Sequence, residues 1–377
     1  MERAGAAGLA LLRCSARVAP DAEELGALGA IAARVQRWDE VVAAAEEHGI
    51  APLLHVHLRA ASIQVPEYAA RQLLALVVRH RHATRVRTRA LSEILAALDG
   101  AGIAVIVLKG AALQQVLYAA PEMRPMNDLD LLVDARQAAA AQAVLRRLGF
   151  NAPATVPDVR LLEHHHLPAA TRESEGVAVQ VEIHHDALSR DWRDSLTLQT
   201  LSVPPRAFTF DGRDAHALGH VDMLRHIAHH CADRGPGFRL IWVADLVGYA
   251  QRYHAEIDWE KLRIDHPFVS NALSLMHFVT PLPPLLTDLQ PTMDRAAPTG
   301  VGQSCKSLEM ILQGGRTVSD VLRDLLYPSD WWLRLYYGVD PRLSLLWCRW
   351  VQHPAHVVRG GIERAQIYAS WRTGLTR

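Results

Sequence analysis

The chain has 377 residues, 50% of them hydrophobic, enough to bury a core in two or three domains, or in one domain with helical extensions. Lys and Arg number 40 and Asp and Glu number 40, so no net charge draws in a polyanion; nucleic-acid binding would need a local patch and is not favoured. Cys14, Cys231, Cys305 and Cys348 are scattered with no CxxC pair, which argues against a zinc ribbon or a disulfide scaffold and fits a reducing cytoplasm. No apolar run approaches the roughly 20 residues that span a bilayer. The first sixteen residues carry Glu2, Arg3 and Arg13, which reads against a secretory signal.

The first hundred residues read as helices. Asp21 to Gly49 has helix-period apolar positions and Gly49 as a stop, and Pro66 opens a second long helix reaching Leu98. The pattern then changes. Ile103 to Leu108 is a short β-branched run bounded by Gly102 and Gly110, and reads as a buried strand. Leu129 to Val133 is a second strand and Val177 to Ile183 a third. Ala111 to Tyr118 and Ala135 to Leu148 are helical between them, with Gly149 ending the latter. The expected architecture is α+β: a small mixed sheet flanked by helical regions. The divisions are 1–100, an N-terminal helical region; 101–215, the α/β core; 216–280, a helical extension; and 281–377, a helical, Trp-rich region. In the extension, Val221 to Cys231 and Arg239 to Tyr253 are helical, and Pro281 to Pro284 is a turn or linker.

Asp128-Leu-Asp130-Leu-Leu carries the chemistry. Alternation puts both carboxylates on one face of a strand. Two adjacent carboxylates repel, and stay ionised together only with a cation between them. Hard oxygen donors suit Mg²⁺, with Mn²⁺ as a substitute. Glu182, on the later strand, would complete a two-metal site in which one ion activates the attacking oxygen and the other stabilises leaving pyrophosphate. Lys109-Gly110, at a strand-to-helix junction, offers a point charge and open backbone to a triphosphate. Arg124 could reach the same phosphates. His184 lies two residues after Glu182, hence on the same face, where it could contact a phosphate or orient an acid.

These residues resemble a family. Val107-Leu-Lys-Gly-Ala-Ala-Leu113, then Tyr118 and Pro121, then Arg124-Pro-Met-Asn-Asp-Leu-Asp-Leu-Leu-Val133 are similar to the bacterial uncharacterised nucleotidyltransferase family of the polymerase-β superfamily. Val181-Glu-Ile-His184, Phe238 to Leu246 with Trp242 and Asp245, and Asp258-Trp-Glu260 extend the resemblance over roughly residues 35 to 265. It implies a mixed-sheet nucleotidyltransferase core with three acids, here Asp128, Asp130 and Glu182. In place of the superfamily's usual Gly-Ser after the first strand stands Lys109-Gly110. The expected activity is Mg²⁺-dependent transfer of a nucleotide from an NTP to a hydroxyl of an unidentified acceptor: a small molecule, peptide, protein or RNA. Two alternatives stay open: a non-catalytic binding or antitoxin module, and a phosphoryl-transferring, kinase-like enzyme. Oligomeric state is not legible.

Three further features have a bland and a functional reading. His226 and His230 have zinc-ligand spacing, but the expected role is a packed polar cluster. Arg81, Arg85 and Arg89 form a stripe that could hold RNA or a phosphorylated substrate, with a solvated helix face the expected reading. Trp331, Trp332, Trp347, Trp350 and Trp371 could dock a partner or a membrane surface, with a helical core the expected reading.

Overall fold

The computed structural model describes residues 5–153, 164–188, 194–232, 238–290, 298–302, 327–340, 342–359 and 362. Cys305 and Trp371 lie outside these residues. The N-terminal region is helical, as the periodicity predicts: α1 (Gly5–Cys14), α2 (Ala22–Ala32), α3 (Trp38–Glu47), α4 (Ala51–Ala60) and α5 (Glu67–Gly100). A capping box starts α2, with the Asp21 carboxylate accepting from the Glu24 N–H at 2.8 Å and Glu24 accepting from the Asp21 N–H at 3.0 Å. The single helix expected over Asp21 to Gly49 is broken between Ala32 and Trp38. Leu28 and Ala45 are both buried, yet on one straight helix they would face roughly 100° apart. The break lets both point into the core. At 34 residues, α5 is about 50 Å long and serves as a spine packed against α3, α4 and the sheet.

The core is a six-stranded mixed sheet in the order β3-β4-β2-β1-β6-β5. Its strands are β1 (Ile106–Val107), β2 (Asp128–Leu132), β3 (Ala170–Ser174), β4 (Val177–His184), β5 (Arg206–Phe210) and β6 (Arg213–Ala217). β2 runs parallel to β4 and antiparallel to β1, and β1 runs parallel to β6. Two helices, α6 (Lys109–Val116) and α7 (Ala138–Arg147), pack on the sheet. The first strand is shorter than its apolar run predicts. Ile106 pairs with Leu132, the last residue of β2, so residues 103–105 run past the end of their would-be partner.

Three strands were not foreseen. β3, β5 and β6 are edge or near-edge strands rich in polar residues, and no apolar run marks them. Their turns are more telling. Glu175-Gly176 joins β3 to β4 and Asp211-Gly212 joins β5 to β6. All four residues have positive φ, as a two-residue primed hairpin turn requires.

Beyond the sheet lie α8 (His220–Ala232), α9 (Leu240–Arg252), α10 (Trp259–Asp265), α11 (Pro267–Met276) and α12 (Asp330–Tyr337). Trp331 and Trp332 on α12 are core residues, and the Trp331 indole donates to the Leu275 carbonyl at 3.2 Å. Trp347 and Trp350 are exposed instead. No helix among the described residues is long and apolar enough to cross a membrane.

Candidate functional site

The site grows from the parallel pair β2 and β4. Asp130 on β2 is in register with Glu182 on β4, Asp128 with Gln180, and Leu132 with His184. In-register parallel pairing points such partners to the same side of the sheet. Leu129 and Leu131, with Val181 and Ile183, fill the opposite face and are buried. The alternation predicted from sequence therefore places Asp128, Asp130, Glu182 and His184 together on one face.

Lys109 joins them from a third element. The Leu108 N–H donates to the Asp130 carbonyl at 2.9 Å, anchoring the end of β1 beside β2. The next residue, Lys109, opens α6 with φ +42°, a left-handed conformation that costs a non-glycine residue roughly 1 kcal/mol or more. From this turn its ammonium donates to Asp130 Oδ1 at 2.9 Å. The same oxygen accepts from His184 Nε2 at 2.7 Å, and Glu182 Oε2 stands 3.6 Å from that nitrogen. The Gln180 side-chain amide donates to the other Glu182 oxygen at 3.0 Å. Asp130 and His184 are buried, and His184 Nδ1 meets no hydrogen-bond partner among the described residues.

The electrostatics follow from this crowding. Burial alone would raise the Asp130 carboxyl, but Lys109 and His184 outweigh it and hold it well below the usual range. Burial works against the charges of Lys109 and His184 too. For Lys109 the Asp130 and Asp128 charges overcome it, and for His184 the hydrogen bonds to Asp130 and Glu182 do, so both are raised. Asp128 is on the losing side of the arrangement. Repulsion from Asp130, then burial, lifts it to about 6. Acids this crowded, only partly neutralised, are what a cation would relieve. Donor atoms of Asp130, Glu182 and His184 lie within 4.8 Å of one another, a separation that one divalent ion can bridge. Asp128 is not part of that trio.

Arg124 and Gly110 are placed differently from their sequence-based expectation. The Arg124 guanidinium is buried in an ion pair with Asp245 of α9, with Nη2 2.8 Å from Oδ2, and the Tyr118 hydroxyl donates to Asp245 Oδ1 at 2.6 Å. A Cβ on Gly110 would collide with Arg124 Nη1 and lie 3.0 Å from Cζ. The glycine is thus required by the arginine packed across it. Asp245 sits alone among apolar residues of α9, and a lone buried acid needs a cation or donors, which is the signal that predicts such a partner.

The remaining candidates are structural where described. His226 Nδ1 meets the Ala187 carbonyl at 2.8 Å, His229 stacks on Phe268 with ring centres 4.2 Å apart, and His230 packs edge-on to Trp242. These are the contacts of a packed cluster. His165 and His166 bring their rings within 5.3 and 5.1 Å of His184. Burial, helped by the charge of His184, drives His165 down to about 2, so its ring is neutral. The arginine stripe is tied up: Arg85 and Arg89 pair with Glu175 at the β3–β4 turn, and Arg81 with Glu122.

A mixed sheet with acids on neighbouring inner strands is consistent with an α+β nucleotidyltransferase fold. The chain belongs to the family described as "Uncharacterised nucleotidyltransferase", whose model matches residues 35–266. Among solved structures it is similar to the antibiotic-resistance factor ANT(2″)-Ia in solution, at 18% identity over 50% of this chain and 95% of that one, with a TM-score of 0.35. The crystal structure of ANT(2″)-Ia in complex with adenylyl-2″-tobramycin matches at 16% identity over 47% and 94%, with a TM-score of 0.34. An antigenic nucleotidyltransferase-like protein from Paracoccidioides brasiliensis matches at 19% identity over 51% and 93%, with a TM-score of 0.31. Comparison with curated proteins finds no match.

Proposed function

We propose that the protein is a divalent-metal-dependent nucleotidyltransferase that moves a nucleotide from an NTP to a hydroxyl of an acceptor. The observation that carries this reading is the in-register pairing of Asp130 with Glu182, with Asp128 and Lys109 beside it. It combines oxygen donors for a hard cation with an ammonium held at a strand-to-helix turn, which suits a triphosphate.

Asp128, Asp130 and Glu182 would hold the metal, Mg²⁺ or Mn²⁺. When bound, the ion supplies charge neutralisation of the phosphates and a sharper attacking oxygen. Lys109 leaves Asp130 to meet the triphosphate over Gly110. The acceptor hydroxyl attacks the α-phosphorus, forming the new O–P bond while the bond to the β-phosphate oxygen breaks and pyrophosphate leaves. Glu182 takes the hydroxyl proton and passes it to solvent. His184 stands between Asp130 and Glu182 on the same face and completes the polar lining of the site. Arg124 acts from beneath, where its pair with Asp245 fixes the Lys109–Gly110 turn.

In this reading residues 101–215 form the catalytic core and the helical regions 1–100, 216–280 and 281–377 supply the acceptor site. The acceptor class is a small molecule, peptide, protein or RNA, and the location is the cytoplasm, on the cysteine pattern. Calorimetric titration of each NTP with Mg²⁺ or Mn²⁺ tests the reading. It predicts metal-dependent binding of at least one NTP, weakened at least about tenfold in Asp128→Asn. Binding of no NTP would overturn it in favour of a non-catalytic module.

A further inference from the structure

We propose that His184 is itself a metal ligand, through Nε2, so that the site takes an ion accepting both oxygen and nitrogen, Mn²⁺ or a similar first-row transition ion, ahead of Mg²⁺. This rests on the reading of Asp130 and Glu182 as metal-holding acids.

The geometry is the argument. Around an ion with bonds of about 2.1 Å, neighbouring ligand atoms stand about 3 Å apart. His184 Nε2 is 2.7 Å from Asp130 Oδ1 and 3.6 Å from Glu182 Oε2. Both separations lie within an ångström of that spacing. Gln180 holds Glu182 by its Oε1, which leaves Oε2 as the oxygen facing the histidine. Ligating carboxylates are normally hydrogen-bonded in turn, as Glu182 is here by Gln180.

The ring is also built in place. His184 is fully buried at the end of β4, its carbonyl accepts from the Val133 N–H at 2.9 Å, and it bridges to His166 on its other side. A buried ring carried by this backbone, with Nε2 between two acids, faces any cation that enters between them. It either coordinates or blocks. Coordination gives the ion the Nε2 lone pair, the Nε2 proton goes to solvent, and Lys109 is released from Asp130. Nitrogen donation then disfavours Mg²⁺, which holds to oxygen, relative to transition ions.

Pulsed electron paramagnetic resonance on the full-length protein with bound Mn²⁺ and no nucleotide tests this. Wild type is expected to show coupling to a directly bound nitrogen, changing from ¹⁴N to ¹⁵N in protein made with ¹⁵N-histidine. His184→Gln should abolish the coupling and weaken Mn²⁺ binding about tenfold or more, with Mg²⁺ binding nearly unchanged, whereas His166→Gln should keep the coupling. Bound Mn²⁺ with no histidine coupling, or coupling that survives His184→Gln, overturns the inference and leaves the carboxylate site standing. Mn²⁺ binding that is absent, or unaltered by Asp130→Asn, overturns both. If a variant fails to fold, the labelled wild-type spectrum still overturns the inference when it shows no histidine nitrogen bound.

Discussion

Lys109 and Asp130 meet at 2.9 Å across a strand-to-helix turn, on an oxygen that also accepts from His184. Lys109 and His184 both donate to this one buried carboxylate, which makes Asp130 the electrostatic centre of the site. Asp128, on the same face of the strand, is left with repulsion.

This asymmetry separates the two acids by experiment. Asp130→Asn leaves the Lys109 ammonium buried without its counter-charge and takes the carboxylate acceptor from His184, and should cost about 3–5 kcal/mol of stability. Asp128→Asn removes a repelling charge and should leave stability equal or higher. Both should lose turnover. Urea denaturation beside a turnover assay checks this, and equal stability losses in the two variants would show that the Asp130 contacts carry no weight.

The Arg124–Asp245 pair ties the turn to α9. Asp245→Ala strands a buried guanidinium and should destabilise the fold by about 3–5 kcal/mol. Gly110→Ala should cost about 1–3 kcal/mol by driving its Cβ into Arg124. Since the second effect needs the arginine, trimming Arg124 to Ala should remove most of it. A double-mutant cycle measures that coupling, and additive losses would contradict the packing role of Gly110.

A pH dependence is built into the N-terminal helices. Burial lowers His57 on α4, and His48 just before it, from 6.5 to about 4. Between those values the unfolded chain binds more protons than the folded one, so stability falls as pH drops from 6.5 toward 4 and is flat above. Each contributes roughly 3 kcal/mol over the full window. His57→Leu should flatten the profile of stability against pH measured by urea denaturation. An unchanged slope would contradict a neutral, buried His57.

The arginine stripe should be nearly silent. Its partners Glu175 and Glu122 are at or near the surface, where such pairs contribute less than about 1 kcal/mol. Glu175→Gln should shift the thermal midpoint little, and a large loss would show the pairs to be more than a surface staple.

The acid face was legible because period-two alternation is local: Asp128 and Asp130 flank Leu129, and Glu182 and His184 flank Ile183. The long helix α5 was legible for the same kind of reason. Strands β3, β5 and β6 were not, because edge strands bury little and so need no apolar run; only Asp211-Gly212 and Glu175-Gly176 announced their turns. The fate of Arg124 was hidden by distance. Its partner Asp245 lies 121 residues away, and an arginine four residues before an acid pair reads equally well as a phosphate ligand until α9 is seen to bring a buried carboxylate to it.

The proposed reaction cleaves the NTP between its α- and β-phosphates. Slow metal-dependent turnover with water as acceptor, followed by ³¹P nuclear magnetic resonance, tests it most directly. Nucleoside monophosphate and pyrophosphate, lost in Asp128→Asn, are the predicted products. Nucleoside diphosphate and phosphate, or turnover undiminished in Asp128→Asn, would contradict it.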